Sequence, residues 1–315
     1  MRKAISKGAV VESPSIKRQN RLFTVPKKDT TELRVILDLS ALNKFILCMT
    51  FKMTTISHVR NILPNQAWTC SIDLKDAFWH VPIAPSFQGY LGFSLDNITY
   101  RFKAMPFGLN IAPRVFTKLG NIVVQFLRQK GIPVVAYLDD WLIWGNTLED
   151  CQHNTSLVVK ELQRRGFILN LEKSRLTPSR AFKWLGIHWN LNRGRISMTP
   201  ARRRETQKSV RLLLNQGFIS RRQLEKIIGL LNFCSIIDLY LKACLKEMSR
   251  FLLSHASRRK RDMKVPFPKQ LKNLLRPWSK ASSLGKSVSL RPKPISVTIH
   301  SDASKWGWGG HTEKK

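Results

Sequence analysis

The sequence predicts an α+β unit followed by a small, mostly helical and very basic unit. The first two hundred residues hold nearly all the strand-like segments, with two amphipathic helices between them. Beyond Ser197–Pro200 the apolar residues recur at helical spacing instead. The charge changes at the same place, because residues 201–295 hold 23 Lys and Arg against 5 Asp and Glu, a net charge of +18. We therefore place a boundary near Ser197–Pro200.

Length, composition and charge narrow the class of protein. A chain of 315 residues is long enough for two compact units, and its 43% hydrophobic content excludes wholesale disorder. The formal net charge of +34 indicates a polyanionic partner. Nucleic acid is the first candidate and an anionic membrane surface is the second.

The sequence does not indicate membrane insertion, secretion or a disulfide framework. No uninterrupted apolar run approaches the roughly 20 residues of a membrane span, and the first residues, MRKAISKGAVVESP, lack the apolar core of a secretory signal. The five cysteines show neither a C-x-x-C pair nor zinc-type spacing with histidine. We therefore expect an intracellular protein, cytoplasmic or nuclear, with reduced thiols.

Strand-like runs follow one another through the first unit and are bounded by turn-forming residues. They comprise residues 33–37, 69–74, 134–138, 141–144 and 182–189, with a hairpin from YLGFS to ITYRFK across Leu95–Asn97.

Two helices interleave with these strands. The first is predicted to start near Ala112–Pro113, where proline suits the first turn. Its apolar face would carry Val115, Leu119, Ile122 and Phe126. The second opens at Thr147, with Asp150 as capping-box partner, and closes at Arg164–Gly166.

The second unit has helical capping signals of its own. One helix opens at Thr199–Pro200 and ends at Gly217, and the next is capped by Ser220 with Gln223. Residues 258–294 contain RRKR, several prolines and SSLGKS, and they predict a connector that packs poorly.

Two adjacent aspartates, Asp139 and Asp140, lie in the segment VVAYLDDWLIW between strongly apolar strand-like runs. A solvated hairpin turn is the ordinary explanation for such a pair. A two-residue hairpin, however, favours Asn-Gly or Asp-Gly because its turn positions need positive φ, whereas here we expect both turn positions to be acidic. Like charges this close are costly unless a cation neutralises them, and carboxylates suit Mg²⁺.

A further acid, Asp73, ends the apolar run SIDL, and Asp76 follows one turn later. Alone, such an acid is more typical of a cap or a turn than of a metal site. Together with Asp139 and Asp140 in so basic a chain, it indicates a two-metal phosphoryl-transfer site, in which the metals activate the attacking oxygen and stabilise the leaving one. The residues alone leave both synthesis and cleavage of a nucleic-acid backbone open.

Seven ordered motifs between Ile5 and Leu253 resemble those of the reverse transcriptases of retroelements, most closely the gypsy-like and DIRS-like retrotransposon branch. The motifs are RLFTVPKKDTTELRVILDLSALNKFI, SIDLKDAFWHVPI, YRFKAMPFGLNIAPRVF, YLDDWLIWG, GFILNLEKSRLTP, FKWLGIHWN and RRQLEKIIGLLNF. The resemblance implies a right-hand polymerase. Its parts would be fingers and palm at 1–196, a helical basic thumb at 197–255, a connector at 256–294 and an incomplete RNase H-like segment at 295–315.

This resemblance implies RNA-directed DNA synthesis with two Mg²⁺ ions, or Mn²⁺ in their place. Asp73 and Asp139 would bridge the ions, Asp140 matches the third family acid, and the Leu74 carbonyl would complete one coordination sphere. The primer 3′-hydroxyl would attack the α-phosphate of a dNTP, and pyrophosphate would leave. Lys173 resembles a lysine proposed to protonate that pyrophosphate.

Other matched positions concern the incoming dNTP. Lys27 and Arg34 would grip its triphosphate, Lys27 as a point charge and Arg34 through its planar guanidinium. Phe78 falls at the family's sugar gate, where its ring would crowd a 2′-hydroxyl. Phe107 and Gly108 would lie under the templating base pair.

The implied partners are an RNA template, a DNA primer, their RNA–DNA hybrid and dNTPs, with no membrane, and other segments of a retroelement polyprotein where the chain is part of one. Trp184–Gly186 resembles the hairpin that holds the primer terminus. Thumb cations would follow the hybrid backbone without reading its sequence. They are Arg202–Arg204, Lys208, Arg211, Arg221, Arg222 and Lys226.

The stretch SVTIHSDASKWGWGG resembles the first strand and hairpin of an RNase H domain, with Asp302 at the place of its first metal-binding acid. The family needs further acids on later strands, and the chain stops at Lys315. We therefore expect a fraying tail and no RNase H activity from this chain. An ordinary disordered terminus is the alternative.

Three functions stay open on the sequence. The first is an RNA-directed DNA polymerase. The second is an inactive or domesticated fragment that binds RNA–DNA hybrids, and the third, least favoured, is an RNase H-type nuclease. Primer extension on an RNA template would separate them.

Overall fold

The computed structural model describes residues 1–26, 33–237, 240–255, 262–280, 284–291 and 297–314. The chain divides into two compact units, which comprise Met1–Val59 with Ala67–Arg180, and Arg60–Gln66 with Ala181–Lys315. The division after Arg180 precedes the boundary expected near Ser197–Pro200, because the strands within residues 181–198 form a sheet with residues 287–289 of the second unit.

The first unit contains three antiparallel sheets in its described part. Its strands are β1 (Val10–Glu12), β2 (Arg21–Pro26), β3 (Leu33–Asp38), β4 (Trp68–Asp73), β5 (Gly92–Leu95), β6 (Ile98–Phe102), β7 (Val134–Tyr137), β8 (Asp140–Gly145) and β9 (Arg175–Ser179). The largest sheet has the order β7–β8–β4–β9, a second has the order β1–β6–β5, and β2 pairs with β3.

Five helices begin in the described part of this unit. They are α1 (Arg2–Ser6), α2 (Ile56–Ile62), α3 (Pro85–Gln88), α4 (Ala112–Gln129) and α5 (Leu148–Arg164). The predicted capping box of α5 is confirmed, since Thr147 and Asp150 exchange side-chain to backbone hydrogen bonds. Gly166, with a φ of 83°, follows the end of α5 as expected.

The core of this unit surrounds the central strand β8. Trp141, Leu142 and Ile143 are each 0% exposed, so β8 is buried on both faces. Burial on two faces explains why its sequence is a continuous apolar run instead of an alternating one. Helix α4 packs against β7 and helix α5 against β8, and the sheet is therefore a rigid platform for the residues at its edge.

The buried face of α4 differs from the predicted one. The residues that α4 buries are Ala112, Phe116, Gly120, Val123, Val124 and Leu127. Of the predicted residues, Ile122 is 53% exposed, whereas Val115, Leu119 and Phe126 are only partly buried against the core. Both sets recur at helical spacing, so the periodicity predicted the helix correctly. Which of its two apolar sides faces inward depends on the packing of α4 against β7.

The second unit combines short sheets with helices. Its strands are β10 (Ala181–Trp184), β11 (Ile187–Asn190), β12 (Arg195–Met198), β13 (Phe218–Ser220), β14 (Lys264–Pro266), β15 (Ser287–Ser289), β16 (Val297–Ala303) and β17 (Trp308–Lys314). Its helices are α6 (Pro200–Leu214), α7 (Arg221–Cys234), α8 (Tyr240–His255) and α9 (Lys269–Leu275). Among the described helices of the whole chain, none is long and apolar enough to cross a membrane.

Several local predictions for the second unit are confirmed and two need adjustment. Thr199 caps α6, and Ser220 forms the expected capping box of α7 with Gln223. Helix α6 ends at Leu214, ahead of Gly217. The run 182–189 is a hairpin and not one strand, because Leu185 and Gly186 turn the chain with φ of 49° and 76°.

The described parts of the connector are well packed, contrary to the prediction. Leu275 and Trp278 are each 0% exposed, β14 pairs with β13, and β15 joins the sheet of β10, β11 and β12. The sequence did not predict this packing because prolines and basic residues dominate the segment. The residues that are buried are a few apolar ones between them, such as Leu275 and Trp278. The final segment, expected to fray, forms the β16–β17 hairpin.

Candidate active site

The turn between β7 and β8 sets the geometry of the candidate site. Tyr137 pairs with Asp140, so the two turn residues are Leu138 and Asp139. The expectation that both aspartates occupy the turn is therefore wrong: Asp140 is the first residue of β8. Leu138 takes the left-handed φ of 53°, a conformation that costs a non-glycine residue energy and that often occurs at functional sites.

Sheet register brings the third acid to the same edge. Asp73, the last residue of β4, lies directly opposite Asp140 of β8. The Leu74 N–H donates to the Asp139 carbonyl at 2.9 Å, which ties the end of β4 to the turn. Asp73, far from Asp139 and Asp140 in sequence, thus lies at the same corner of the sheet as these two acids.

A loop after α5 holds Asp73 from the other side. Asn170 Nδ2 donates to Asp73 Oδ1 at 2.8 Å, and the Asn170 N–H donates to the Asp73 carbonyl at 2.8 Å. The Ser174 hydroxyl accepts from the Asp73 N–H at 3.0 Å and donates to the Asn170 carbonyl at 2.7 Å. This closed set of bonds fixes both the backbone and one carboxylate oxygen of Asp73.

Two of these acids, Asp73 and Asp139, line a cleft of about 560 Å³ in the first unit. Six of the residues predicted for the site line it, namely Asp73, Leu74, Asp139, Arg34, Phe107 and Lys173. Anionic and cationic side chains thus share one open cavity, as binding of a metal-chelated phosphate group requires.

Three predicted residues lie outside the cleft lining, and a fourth is not among the described residues. Asp140, Phe78 and Gly108 are not among the residues that line the cleft, and Lys27 lies outside the described residues. Phe78 is half-buried behind Phe107, with 5.0 Å between the two ring centroids. Its ring therefore supports the cleft wall.

Gly108 lets its own loop approach strand β3. A Cβ atom at Gly108, whose φ is 111°, would lie 2.0 Å from the Leu37 carbonyl oxygen. The Leu37 N–H donates to the Phe107 carbonyl at 3.1 Å, and Asn43 Nδ2 donates to the Gly108 carbonyl at 2.9 Å. The glycine is thus required to seat Phe107 against β3.

Arg34 stacks on this aromatic wall. Its guanidinium carbon lies 4.7 Å from the centroid of the Phe107 ring, which is the geometry of a cation–π contact. The contact orients an otherwise exposed Arg34 along the cleft and leaves the edges of its guanidinium for an anionic ligand.

The carboxylates carry negative charge that the protein only partly compensates. Burial raises the pKa of Asp139, and Asp73 raises it further against the opposing charges of Arg34 and Lys173. Burial, together with repulsion from Asp139 and Asp73, raises the pKa of Asp140 to about 7. A bound divalent cation would relieve this repulsion.

The donor set fits divalent ions of the Mg²⁺ class. Carboxylates and a backbone carbonyl are the hard oxygen ligands that Mg²⁺ favours, and a cation would offset the mutual repulsion of these acids.

Sequence reasoning overlooked several residues of the site. Asn170 lies in the motif GFILNLEKSRLTP, in which the sequence predicted a role in the site for Lys173 alone. Lys3 of α1 and Trp79 also line the cleft. Asp76, considered as a turn acid, takes a φ of 52° and pairs with Lys7. Contacts of this kind join distant segments and leave no local pattern.

The basic helices of the second unit use some of their cations internally. Arg202 pairs with Glu205 at 3.1 Å and lies over the Phe233 ring, Arg221 pairs with Glu225 at 2.8 Å, and Arg211 donates to the Ser279 carbonyl. The exposed cations of α6 and α7 include Arg204, Lys208, Arg222 and Lys226. These four are the better candidates for contacts with a polyanion.

The mixed α/β fold resembles that of the polymerase domain of retroviral reverse transcriptases. A foamy viral protease-reverse transcriptase solved with double-stranded DNA superposes with a TM-score of 0.71 at 20% identity, over 98% of this chain and 54% of that one. The same kind of protein solved with an RNA/DNA hybrid gives a TM-score of 0.69 at 19% identity, over 99% of this chain and 42% of the other.

The family model for reverse transcriptase (RNA-dependent DNA polymerase) matches residues 25–189, more than half of the chain. The chain therefore belongs to the reverse transcriptase family. Protein P of a duck hepatitis B virus (isolate brown Shanghai duck S5) is 26% identical over 222 residues, which cover 68% of this chain and 28% of that protein. The genome polyprotein of Petunia vein clearing virus (isolate Shepherd) is 25% identical over 210 residues, which cover 64% of this chain and 9% of the polyprotein.

Proposed function

We propose that this chain is the RNA-directed DNA polymerase of a retroelement of the gypsy-like or DIRS-like branch. The observation that carries the proposal is the pairing of Asp73 with Asp140 beside Asp139, at a cleft that also contains Arg34 and Lys173. The substrates would be dNTPs, a DNA primer and an RNA or DNA template. Membership of the reverse transcriptase family supports this choice over cleavage.

In the proposed reaction each cleft residue has a separate task. Asp73 and Asp139 would hold two Mg²⁺ ions, or Mn²⁺, with the Leu74 carbonyl as a further ligand and Asp140 as a less direct one. When bound, the ions activate the primer 3′-hydroxyl and stabilise the negative charge of the leaving oxygen. Lys173, which also lines the cleft, would give a proton to the departing pyrophosphate.

Arg34 would bind the triphosphate of the incoming nucleotide through its guanidinium edges, with Lys27 as a second cation. Stacking of Arg34 on Phe107 supports this role because it limits the directions the guanidinium can take. Phe78 would exclude a 2′-hydroxyl through Phe107, against which it packs. The selection of deoxynucleotides would then depend on two rings acting together.

The remaining segments would serve the nucleic acid. Residues 1–196 would act as fingers and palm, 197–255 as thumb, 256–294 as connector and 295–315 as the start of an RNase H-like domain. The exposed cations of α6 and α7 support backbone binding by the thumb. Where the chain is part of a polyprotein, the other segments of that polyprotein would be its partners.

The test is extension of a DNA primer annealed to an RNA template, with dNTPs and Mg²⁺. We expect extension by the unaltered chain and none by Asp139→Asn, which removes one carboxylate charge at the same size. Asp96→Asn is the matched control, because Asp96 is exposed in the β5–β6 turn with a φ of 52° that asparagine also tolerates.

Three outcomes would overturn the proposal. Extension by Asp139→Asn equal to that of the unaltered chain would remove the carboxylates from the mechanism. Tight binding of an RNA–DNA hybrid without any extension would favour the non-catalytic fragment. Cleavage of the RNA strand without extension would instead favour an RNase H-type nuclease.

A further inference from the structure

The hairpin of β16 and β17 presents two different faces. Cross-strand pairs and alternation put Thr298, His300 and Asp302 of β16 on one face with His311 and Glu313 of β17. The opposite face carries Val297, Ile299 and Trp308, which are 40%, 70% and 82% exposed. One face therefore exposes three large apolar side chains, and the other concentrates side chains that can bind a metal.

Three side chains of the polar face converge. His300 and His311 are direct cross-strand partners, and their rings are stacked with centroids 4.9 Å apart and an interplanar angle of 12°. His300 Nε2 lies 3.6 Å from Glu313 Oε2. The ligand atoms of all three residues lie within 4.8 Å of one another, so a small rotation of each side chain would bring them to one ion.

We propose that His300, His311 and Glu313 bind a divalent transition metal of the zinc class. Two imidazoles and one carboxylate match the ligands of Zn²⁺, Ni²⁺ and Cu²⁺, whereas Mg²⁺ prefers oxygen ligands alone. All three residues are exposed, so the ion can enter from solvent and keep water at its remaining position. This site is chemically different from the all-oxygen site of the cleft.

The ion would join the two strands of the hairpin. An isolated two-stranded hairpin is at best marginally stable in water, and within the described residues β16 and β17 form a sheet of only two strands. One ligand comes from β16 and two from β17, so the ion would hold the register that pairs His300 with His311. Metal binding and formation of the hairpin would then be coupled.

Asp302 provides a matched control. It lies on the same face as His300 but outside the cluster, and its carboxylate accepts a hydrogen bond from the Ala303 N–H at 2.8 Å. The proposed site would exist whether or not the chain synthesises DNA, because no residue of the cluster lines the cleft.

The experiment is a calorimetric titration of the full chain with Zn²⁺ after treatment with a chelator, in excess Mg²⁺ so that hard oxygen sites are filled. We expect His300→Ala and His311→Ala each to weaken zinc binding by more than about tenfold, and Glu313→Gln to weaken it less. Asp302→Asn should bind as the unaltered chain does. Equal affinity for the unaltered chain and both histidine variants would overturn the proposal.

Hydrogen exchange supplies a second measurement. Zn²⁺ should slow amide exchange in residues 297–314 of the unaltered chain and of Asp302→Asn, and it should leave His311→Ala unchanged. Binding that protects no amide of this segment would place the zinc elsewhere and would also overturn the proposal. Amide exchange in residues 187–198, which belong to another sheet of the same unit, shows whether each variant is folded.

Discussion

Asn170 holds the carboxylate of Asp73 through a single direct bond, with 2.8 Å between Nδ2 and Oδ1. The bond fixes one carboxylate oxygen of Asp73, and Asp73 lines the cleft. Because the Asn170 N–H also donates to the Asp73 carbonyl, one residue controls both the rotamer and the backbone of the acid. We therefore regard Asn170 as a positioning residue for Asp73.

Replacement of Asn170 by alanine should lower the rate of nucleotide addition. Loss of a hydrogen bond to a charged group costs about 1.5–3 kcal/mol, which corresponds to a rate reduced roughly ten- to a hundredfold. The Mg²⁺ concentration for half-maximal rate should rise as well, since the freed carboxylate must be ordered by the ion. Steady-state primer extension over a range of Mg²⁺ concentrations measures both quantities.

Asn154→Ala is the control for this change, because the Asn154 amide donates to the Trp144 carbonyl at 3.0 Å, away from the cleft lining. It removes an equivalent amide from the same unit. A reduced rate with an unaltered Mg²⁺ dependence for Asn170→Ala would show a general structural effect and contradict the positioning role.

Substitution of Gly108 should be far more damaging than substitution of another left-handed glycine. Gly131→Ala meets open space at a φ of 77°, and we expect it to cost about 1–2 kcal/mol in the free energy of unfolding. Gly108→Ala adds a Cβ only 2.0 Å from the Leu37 carbonyl oxygen, so its cost should exceed about 3 kcal/mol. Denaturant unfolding of the two variants gives the comparison, and equal costs would contradict the close approach.

Neutralising two exposed lysines of the basic helices should reduce the salt dependence of hybrid binding. Lys208 and Lys226 are exposed on α6 and α7. If each contacts a phosphate, the double change to glutamine should lower the slope of log K against log salt concentration by about 0.9 for each contact. Fluorescence anisotropy with a labelled hybrid at several salt concentrations measures this slope.

The same double change at Lys118 and Lys160, exposed on α4 and α5, is the charge-matched control. It should leave the slope nearly unchanged. An equal reduction by both pairs would mean that the charge acts as one diffuse field and not through contacts made by α6 and α7.

His80 should make the stability of the protein depend on pH. Its Nε2 accepts the Ile168 N–H at 2.9 Å, and its Nδ1 lies 3.0 Å from the Ala77 carbonyl, to which it must then donate. Burial lowers the pKa of His80, so the unfolded chain takes up a proton before the folded one does as the pH falls. Stability from this residue is therefore complete above about pH 6.5 and declines below it.

His80→Gln should flatten this decline, because glutamine does not titrate in that range. Denaturant unfolding at pH values from about 5 to 8 measures the effect. His153→Gln, at an exposed position of α5, is the control and should keep the decline. A decline that survives in His80→Gln would assign the pH dependence to another group.

The sequence correctly predicted those features that depend on residues close together along the chain. The capping boxes at Thr147 and Ser220 were recognisable because their partners lie three residues away. The continuous apolar run of β8 likewise predicted a buried strand. Asp139 and Asp140 were recognisable as candidate site residues because charged side chains between two apolar strand-like runs are unusual.

Features that depend on contact between distant segments were missed or misplaced. The two-residue turn at Leu138 and Asp139 follows from how β7 and β8 pair, and an unfavourable left-handed leucine is not what local propensity selects. Asn170 and His80 act through bonds to residues 97 and 88 positions away. Which side of α4 is buried depends on its packing against strand β7, and the periodicity of α4 does not determine it.

The register of β8 against β4 has an evolutionary consequence. The same alignment that sets Asp73 opposite Asp140 also sets Ile72 opposite Trp141, both of which are buried. A slip of one residue would exchange the two buried faces of β8, and the side chains would no longer fit their neighbours, so any descendant that still folds keeps the two acidic positions face to face. A descendant in which mutation has replaced one of the two aspartates would keep that backbone position opposite the other, so a single reversion could restore the acidic pair.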